Sequence, residues 1–209
     1  MAISDDVFKT LKPLPLAQVS RRIRDGDLLL CAGTDPFSRL IGWATKSPWT
    51  HIAIAYRWPE IGRIMVFESV ERIGVRAVPL KTFISQSSQG TRPYPGKIIL
   101  ARHKDMARKL GAAGSEASVH MADKAVDRFG DRFAPGEIAK IGARIILGAM
   151  NVKLPRRLGP KNEFICSEYV GRCLEALDIR IPWDGNGFIA PSDFAACPEV
   201  KALAQFKTR

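Results

Sequence analysis

Asn162-Glu163-Phe164-Ile165-Cys166-Ser167-Glu168-Tyr169-Val170 reads as the opening turns of an amphipathic helix. Apolar residues recur at Cys166, Tyr169, Val170, Cys173, Leu174 and Leu177, the spacing of a helix with one buried face. Asn162 is available as an N-cap, and Glu163 stands where the helix dipole favours negative charge. A cysteine in the first turn gains thiolate character, because backbone N–H groups without helical partners stabilise S⁻. Cysteine also packs as a small buried hydrophobe, so Cys166 taken alone fits either a core or a nucleophile. A base within reach would decide between them.

The chain has three histidines: His51, His103 and His120. His103 lies between Arg102 and Lys104 in a stretch that reads as surface, and His120 falls within a long helical pattern. His51 opens His51-Ile52-Ala53-Ile54-Ala55-Tyr56, a strand with two alternating faces. Ile52, Ile54 and Tyr56 make the bulky face. His51, Ala53 and Ala55 make the other, where small side chains leave room over an imidazole for a helix to pack. A turn at 58–63 leads to a second strand, Ile64-Met65-Val66-Phe67-Glu68-Ser69. Hairpin pairing about this turn places His51 opposite Glu68 or Ser69, and a slip of one residue would turn Glu68 to the other face. A thiol nucleophile needs a base, and the base needs an orienting partner. Cys166, His51 and Glu68 supply these three roles.

The remainder of the chain supports a single α+β domain. Its 209 residues, 46% hydrophobic and 25% charged, allow one sizeable core. Leu28-Leu29-Leu30-Cys31 is an apolar run of buried-strand length. Residues 38–45 form a helical turn or two ended by Ser47-Pro48, and strands follow at 74–78 and 97–101. Taken in order, the strands from 51 to 101 read as an antiparallel meander. Residues 106–128 and 137–150 are helical in pattern, with Gly111 and Gly114 weakening the first. A basic, proline-bounded loop at 154–161 precedes the Cys166 helix, and Ser192-Asp193 offers a cap for a last helix running to Lys201. The expected division is a lead-in at 1–21, a catalytic domain at 22–195 and a tail at 196–209.

Cys31, Cys166, Cys173 and Cys197 show no zinc-ligand spacing and no C-x-x-C pair, so free thiols and no metal are expected. Nor does anything in the pattern ask for another cofactor. The N-terminus has no basic region followed by an apolar run, and the longest apolar patch, 141–150, is broken by Arg144. A cytoplasmic location without a transmembrane segment is the expectation. A net charge of +11 suggests an anionic surface partner. The basic residues are scattered and no nucleic-acid motif accompanies them, which disfavours a nucleic-acid partner.

Gly26-Asp27-Leu28-Leu29-Leu30, Ser38-Arg39-Leu40-Ile41, Ser47-Pro48-Trp49-Thr50-His51-Ile52-Ala53-Ile54, Phe67-Glu68-Ser69, Val78-Pro79-Leu80 and Cys166-Ser167-Glu168-Tyr169 follow one another in an order that is informative. Over residues 22–195 the chain resembles the circularly permuted branch of the NlpC/P60 papain-like superfamily, and within it the YiiX/YebB-like proteins. There the histidine strand precedes the cysteine helix, as here. The resemblance implies a small antiparallel sheet or barrel packed against helices, with the nucleophile at a helix N-terminus. It implies Cys166 as nucleophile, His51 as general base and Glu68 as the residue orienting the imidazole. It further implies a cysteine peptidase or amidase acting through an acyl-enzyme on peptide, including cell-wall peptide, or a related acyltransferase or lipid ester hydrolase. Relatives tend to carry a tyrosine in a Gly-x-x-Tyr pattern, where this chain has Gly130-Asp131-Arg132-Phe133. Tyr56 or Tyr169 would then have to assist an oxyanion, alongside the Cys166 backbone N–H. A basic binding module without catalysis is the reading from another class.

Overall fold

The computed structural model of the chain describes residues 3–70, 73–86, 93–111, 115–131, 165–182 and 189–208. Their strands are β1 (Pro13–Leu14), β2 (Leu28–Gly33), β3 (His51–Trp58), β4 (Arg63–Val70), β5 (Gly74–Pro79), β6 (Gly96–His103) and β7 (Val200–Phe206). They form one sheet in the order β1-β7-β6-β2-β3-β4-β5. Neighbours are antiparallel except β1 and β7, which run parallel. The helices are α1 (Val7–Thr10), α2 (Leu16–Ser20), α3 (Pro36–Thr45), α4 (Leu80–Ser85), α5 (Met106–Leu110), α6 (Glu116–Val126), α7 (Cys166–Glu175) and α8 (Pro191–Ala196).

The sheet is covered on both faces. That is why its central strand β2 reads as an unbroken apolar run, with Leu28, Leu29, Leu30 and Cys31 all fully buried. Alternate residues sort into two cores. Leu28, Leu30, Ile52, Ile54, Phe67 and Ile99 pack with Tyr169, Val170 and Leu174 of α7. Leu29, Cys31, Ala53, Ala55, Val66 and Ile98 pack with Leu80, Phe83 and Ile84 of α4. The helix carrying Cys166 therefore lies on the Ile52/Ile54 face. The alternation in β3 had suggested the alanine face for it, but the large aliphatic side chains bury more apolar area against a long helix. The alanines instead face the second core, which also holds Phe83 and Ile84 of α4.

Connectivity also departs from a simple meander. After β5 the chain does not add β6 beside it, but crosses to the far side of β2. The helical stretch beginning at Met106 is two helices, α5 and α6, separated at Gly111, whose φ is +64°. In place of one helix to Lys201, Pro191–Ala196 ends at Cys197 and the chain extends into β7. This strand sits between β1 and β6, so the sheet is built from both the 1–21 lead-in and the 196–209 tail. The α+β class holds, whereas the lead-in and tail are structural members of the sheet. The helix expected at 137–150, the basic loop at 154–161 and Phe133 lie outside the described residues.

The entry to β3 is pinned from three sides. Trp49 is buried, donates Nε1–H to the Ile3 carbonyl at 2.7 Å and packs against Phe8 with ring centroids 5.3 Å apart. Ile3 in turn donates its N–H to the Ala195 carbonyl at 2.7 Å. Thr50 accepts the Gly33 N–H at 2.9 Å. Two residues before His51, Trp49 thus ties the strand mouth to both chain ends. Trp49→Phe keeps an aromatic ring but leaves the Ile3 carbonyl without this donor. It should lower unfolding free energy by about 1–3 kcal/mol in urea denaturation. A variant as stable as the parent would show that the tether is dispensable.

Candidate active site

Cys166 is the first residue of α7 and is half-buried. The N-cap is Ile165, in extended conformation at φ −75°, ψ 159°, in place of the expected Asn162, which lies outside the described residues. An isoleucine side chain cannot cap, so the first-turn N–H groups remain available to other acceptors. The Cys166 sulfur takes up the N–H of Ser167, together with the N–H of Ile52 on β3. The remaining apolar face of α7 is buried, with Tyr169, Val170, Cys173 and Leu174 at or below 1% exposure. One helix thus packs the core and places the thiol at the mouth of β3.

His51 faces this thiol, and its Nε2 lies 2.9 Å from Oε2 of Glu68. The hairpin register accounts for the second contact in an unexpected way. The β3–β4 ladder pairs Ile54 with Phe67 and runs outward to Trp58 with Arg63. The same count continued inward puts His51 level with Val70, not with Glu68 or Ser69. The offset from Glu68 is two residues, an even number, so His51 and Glu68 still share a face and meet on the diagonal.

Glu68 has a further partner that the sequence reading did not include. It pairs directly with Arg76 across β4 and β5. Arg76 donates Nε and Nη2 to Oε1 at 2.9 and 2.7 Å, a fork on a carboxylate that is 3% exposed. The signal was present in the sequence: opposite charges equidistant from a short turn, in strands of alternating pattern. Cys31 is the other omission. It is the direct cross-strand partner of His51 in the β2–β3 ladder, and the Tyr94 hydroxyl contacts its thiol. Burial, with Glu68 and Cys166 nearby, pushes the Cys31 thiol well up, so it stays protonated beside the imidazole.

Charges in this cluster reinforce one another. Burial favours neutral His51, but contact with Cys166 and Glu68 outweighs it and raises the imidazole from 6.5 to about 10. Burial likewise favours the Cys166 thiol, but His51 and the two backbone donors bring it below its usual 9.0. Glu68 resists the upward push of burial because His51 and then Arg76 hold it below 4.5. These directions favour a thiolate–imidazolium pair at Cys166 and His51, backed by the Glu68 carboxylate and the Arg76 guanidinium.

The two tyrosines considered for an oxyanion are placed elsewhere. Tyr169 is buried and donates its hydroxyl to the Ala125 carbonyl at 3.0 Å. Tyr56 stacks on Phe67, five residues along β3 from His51, roughly 16 Å at about 3.3 Å per residue. The first-turn backbone of α7 is the nearer source of donors. His103, expected at the surface, is buried at the end of β6, where burial lowers its pKa and Nδ1 accepts the Asp105 N–H at 3.2 Å. Among the described residues, no three His, Cys, Asp or Glu side chains converge as a metal site would require. No described helix is long and apolar enough to cross a membrane.

No family model matches the chain, and no curated protein does. A crystal structure described as metalloprotein yiiX from Escherichia coli O157:H7 has a similar architecture. The TM-score is 0.58 over 87% of this chain and 97% of that one, at 16% sequence identity. The fold is yiiX-like. At this identity the likeness concerns the mixed α+β architecture, a seven-stranded sheet packed against helices.

Arg76→Met removes the fork from Glu68 and should destabilise the protein by about 1–3 kcal/mol at neutral pH. Glu68 is held low in the folded state, so its stabilising contribution is present above about 4.5 and is lost as pH falls through its folded value. Without Arg76 that folded value rises. The stability difference between variant and parent should therefore shrink in acid, where both proteins have Glu68 protonated. Urea denaturation at several pH values measures it, and a pH-independent difference would contradict the assignment.

Proposed function

We propose that the protein is a cysteine hydrolase that attacks an acyl carbon, with Cys166 as nucleophile, His51 as general acid–base and Glu68 orienting the imidazole. The observation that carries this reading is the thiol at the first position of α7 facing an imidazole whose Nε2 is 2.9 Å from a buried carboxylate. The resemblance to the permuted NlpC/P60 superfamily points the same way, and favours an amide bond in a peptide over an ester.

The chemistry follows from the charges. The Cys166 thiolate attacks the carbonyl carbon, forming a C–S bond as the carbonyl π pair moves to oxygen. The Cys166 N–H, first in the helix and without an intrahelical acceptor, is the donor we assign to that oxyanion. The His51 imidazolium then gives its proton to the leaving nitrogen as the C–N bond breaks. In the second half, neutral His51 takes a proton from water, hydroxide adds to the thioester, and the thiolate leaves. Glu68, held by Arg76, keeps the ring oriented throughout. An imidazolium raised to about 10 is a reluctant acid, and breaking the thiolate contact on acylation removes one of the causes of that rise.

The yiiX neighbour is described as a metalloprotein. Here both carboxylate oxygens of Glu68 are engaged, by Arg76 and by His51, which leaves this cluster poorly suited to hold a cation. No step is assigned to a metal.

Iodoacetamide alkylation, followed by peptide mass spectrometry across pH, tests the pair directly. Cys166 should react faster at neutral pH than an ordinary thiol, with its reactivity midpoint displaced to lower pH, because His51 and two backbone donors hold its thiol below 9.0. His51→Ala should move that midpoint upward and slow labelling at pH ~7 by roughly tenfold or more, while Cys31 stays protected. With p-nitrophenyl acetate, an acetyl adduct should form on Cys166, and His51→Ala should reduce its rate by about 10²–10⁴. Slow labelling that is the same in both proteins would make Cys166 a packing residue, and the basic surface would then be the place to seek a binding function.

A further inference from the structure

At the opposite end of β3 from His51 the protein has a cavity of about 310 Å³, lined by charged and apolar residues. Arg24, Arg57 and Arg102 line it, together with Met106 and Leu110 of α5. Arg57 is six residues along the strand from His51, roughly 20 Å at about 3.3 Å per residue. The cavity is therefore separate from the thiol site.

Its guanidiniums are held in place before any ligand arrives. Arg57 donates Nε to the Ile23 carbonyl and Nη2 to the Ser20 carbonyl, each at 2.7 Å. Those acceptors orient the group without cancelling its charge. Arg102 forks onto Asp27, with Nη2 also reaching the Arg22 carbonyl at 2.9 Å. Asp25 is occupied on both oxygens, by the Arg57 N–H at 2.7 Å and the Ser118 hydroxyl at 2.8 Å. Arg24 is exposed, within the field of Asp27. Three arginines thus face two carboxylates, Asp25 and Asp27, and one positive charge is in excess. Ala107 and Gly111 are the exposed apolar part of the lining, over Met106 and Leu110, which are buried at 1% and 5% exposure.

We propose that this cavity binds a small organic anion, a carboxylate or phosphate head joined to an apolar body. Guanidiniums recognise either head through paired N–H donors. The volume is at the lower end of small-molecule pockets, which run from roughly 300 Å³ upward, and suits a ligand of one or two rings. The mixture argues against inorganic phosphate alone, which would have no use for the apolar lining, and against a neutral apolar molecule, which would strand the excess charge.

Titration calorimetry with 2-naphthoate, 1-naphthyl phosphate and the neutral 2-naphthalenemethanol tests this. At least one anion should bind saturably and shift the methyl NMR signals of Met106 and Leu110, and the neutral analogue should not. The better anion identifies the head group. Arg24→Ala, at an exposed position, should weaken binding roughly tenfold, the size of one charge-assisted contact. Ala107→Trp, also exposed and lining the cavity, should abolish binding while the unfolding temperature is retained. Cys166→Ser should bind as the parent does, which separates this site from the thiol whatever the outcome there. Absence of binding by both anions, equal binding of the neutral analogue, or affinity unchanged in Ala107→Trp would each overturn the proposal.

Discussion

Glu68 carries a carboxylate into the sheet, where only 3% of the residue meets solvent. Burying a charge this completely costs several kcal/mol unless its oxygens find good partners. Glu68 divides them between two strands: Oε1 takes the Arg76 fork from β5, and Oε2 meets His51 from β3. That division ties three consecutive strands together at one end of the sheet. It also orients the imidazole, because a ring anchored at Nε2 presents the rest of its edge in a defined direction. The pair of strands could slip in register only by separating Glu68 from one of its partners.

From this anchor, groups that favour alternating charge follow outward: Arg76, Glu68, His51 and Cys166. Each stabilises the next, and each would be expensive alone at that depth. The beginning of α7 completes the series with the Ser167 N–H, so negative charge on the Cys166 sulfur is favoured by the Ile52 N–H of the sheet on one side and by the helix on the other. The helix can hold its first residue in place because Tyr169, Val170, Cys173 and Leu174 are locked into the core behind it. Cys31 stands directly beside His51 yet remains a protonated thiol. Neighbouring sulfurs therefore have opposite chemistry: one meets backbone donors and an imidazolium, and the other meets burial and a carboxylate's field.

The two ends of β3 are chemically distinct. The end at His51 has a nearly balanced set of charges, while the end at Arg57 has excess positive charge beside apolar residues of α5. Between them Ile52, Ala53, Ile54 and Ala55 are fully buried, which makes the strand a stiff connection. The net charge of +11 is thus partly organised into a cavity wall and partly left on the surface.

Sequence patterns were sufficient for the α+β class, for strands over 28–31, 51–56 and 64–69, each of which the structure extends by two residues, and for the amphipathic helix that carries Cys166. Period-2 and period-3.6 alternations are local properties, and backbone geometry turns them directly into faces. Local patterns also singled out His51 and Cys166, since the chain has three histidines and four cysteines, and the hairpin turn at 58–63 brought in Glu68. Other features depended on contacts distant in the chain. The strand at 200–206 and the partnership of β6 with β2 follow from which edges were left to pair, a matter of long-range topology. The same holds for the face of β3 chosen by α7, where packing volume outweighed the room left by alanines. Arg76, eight residues from Glu68 across one hairpin, was within reach of local reasoning, whereas Tyr169 left the cluster because its hydroxyl found the distant Ala125 carbonyl in the core. The sequence alone determined which side chains had the chemistry; the tertiary structure decided which of them meet, because hydrogen bonds and ion pairs act over a few ångströms while the residues that make them lie far apart in the chain, 115 positions for His51 and Cys166.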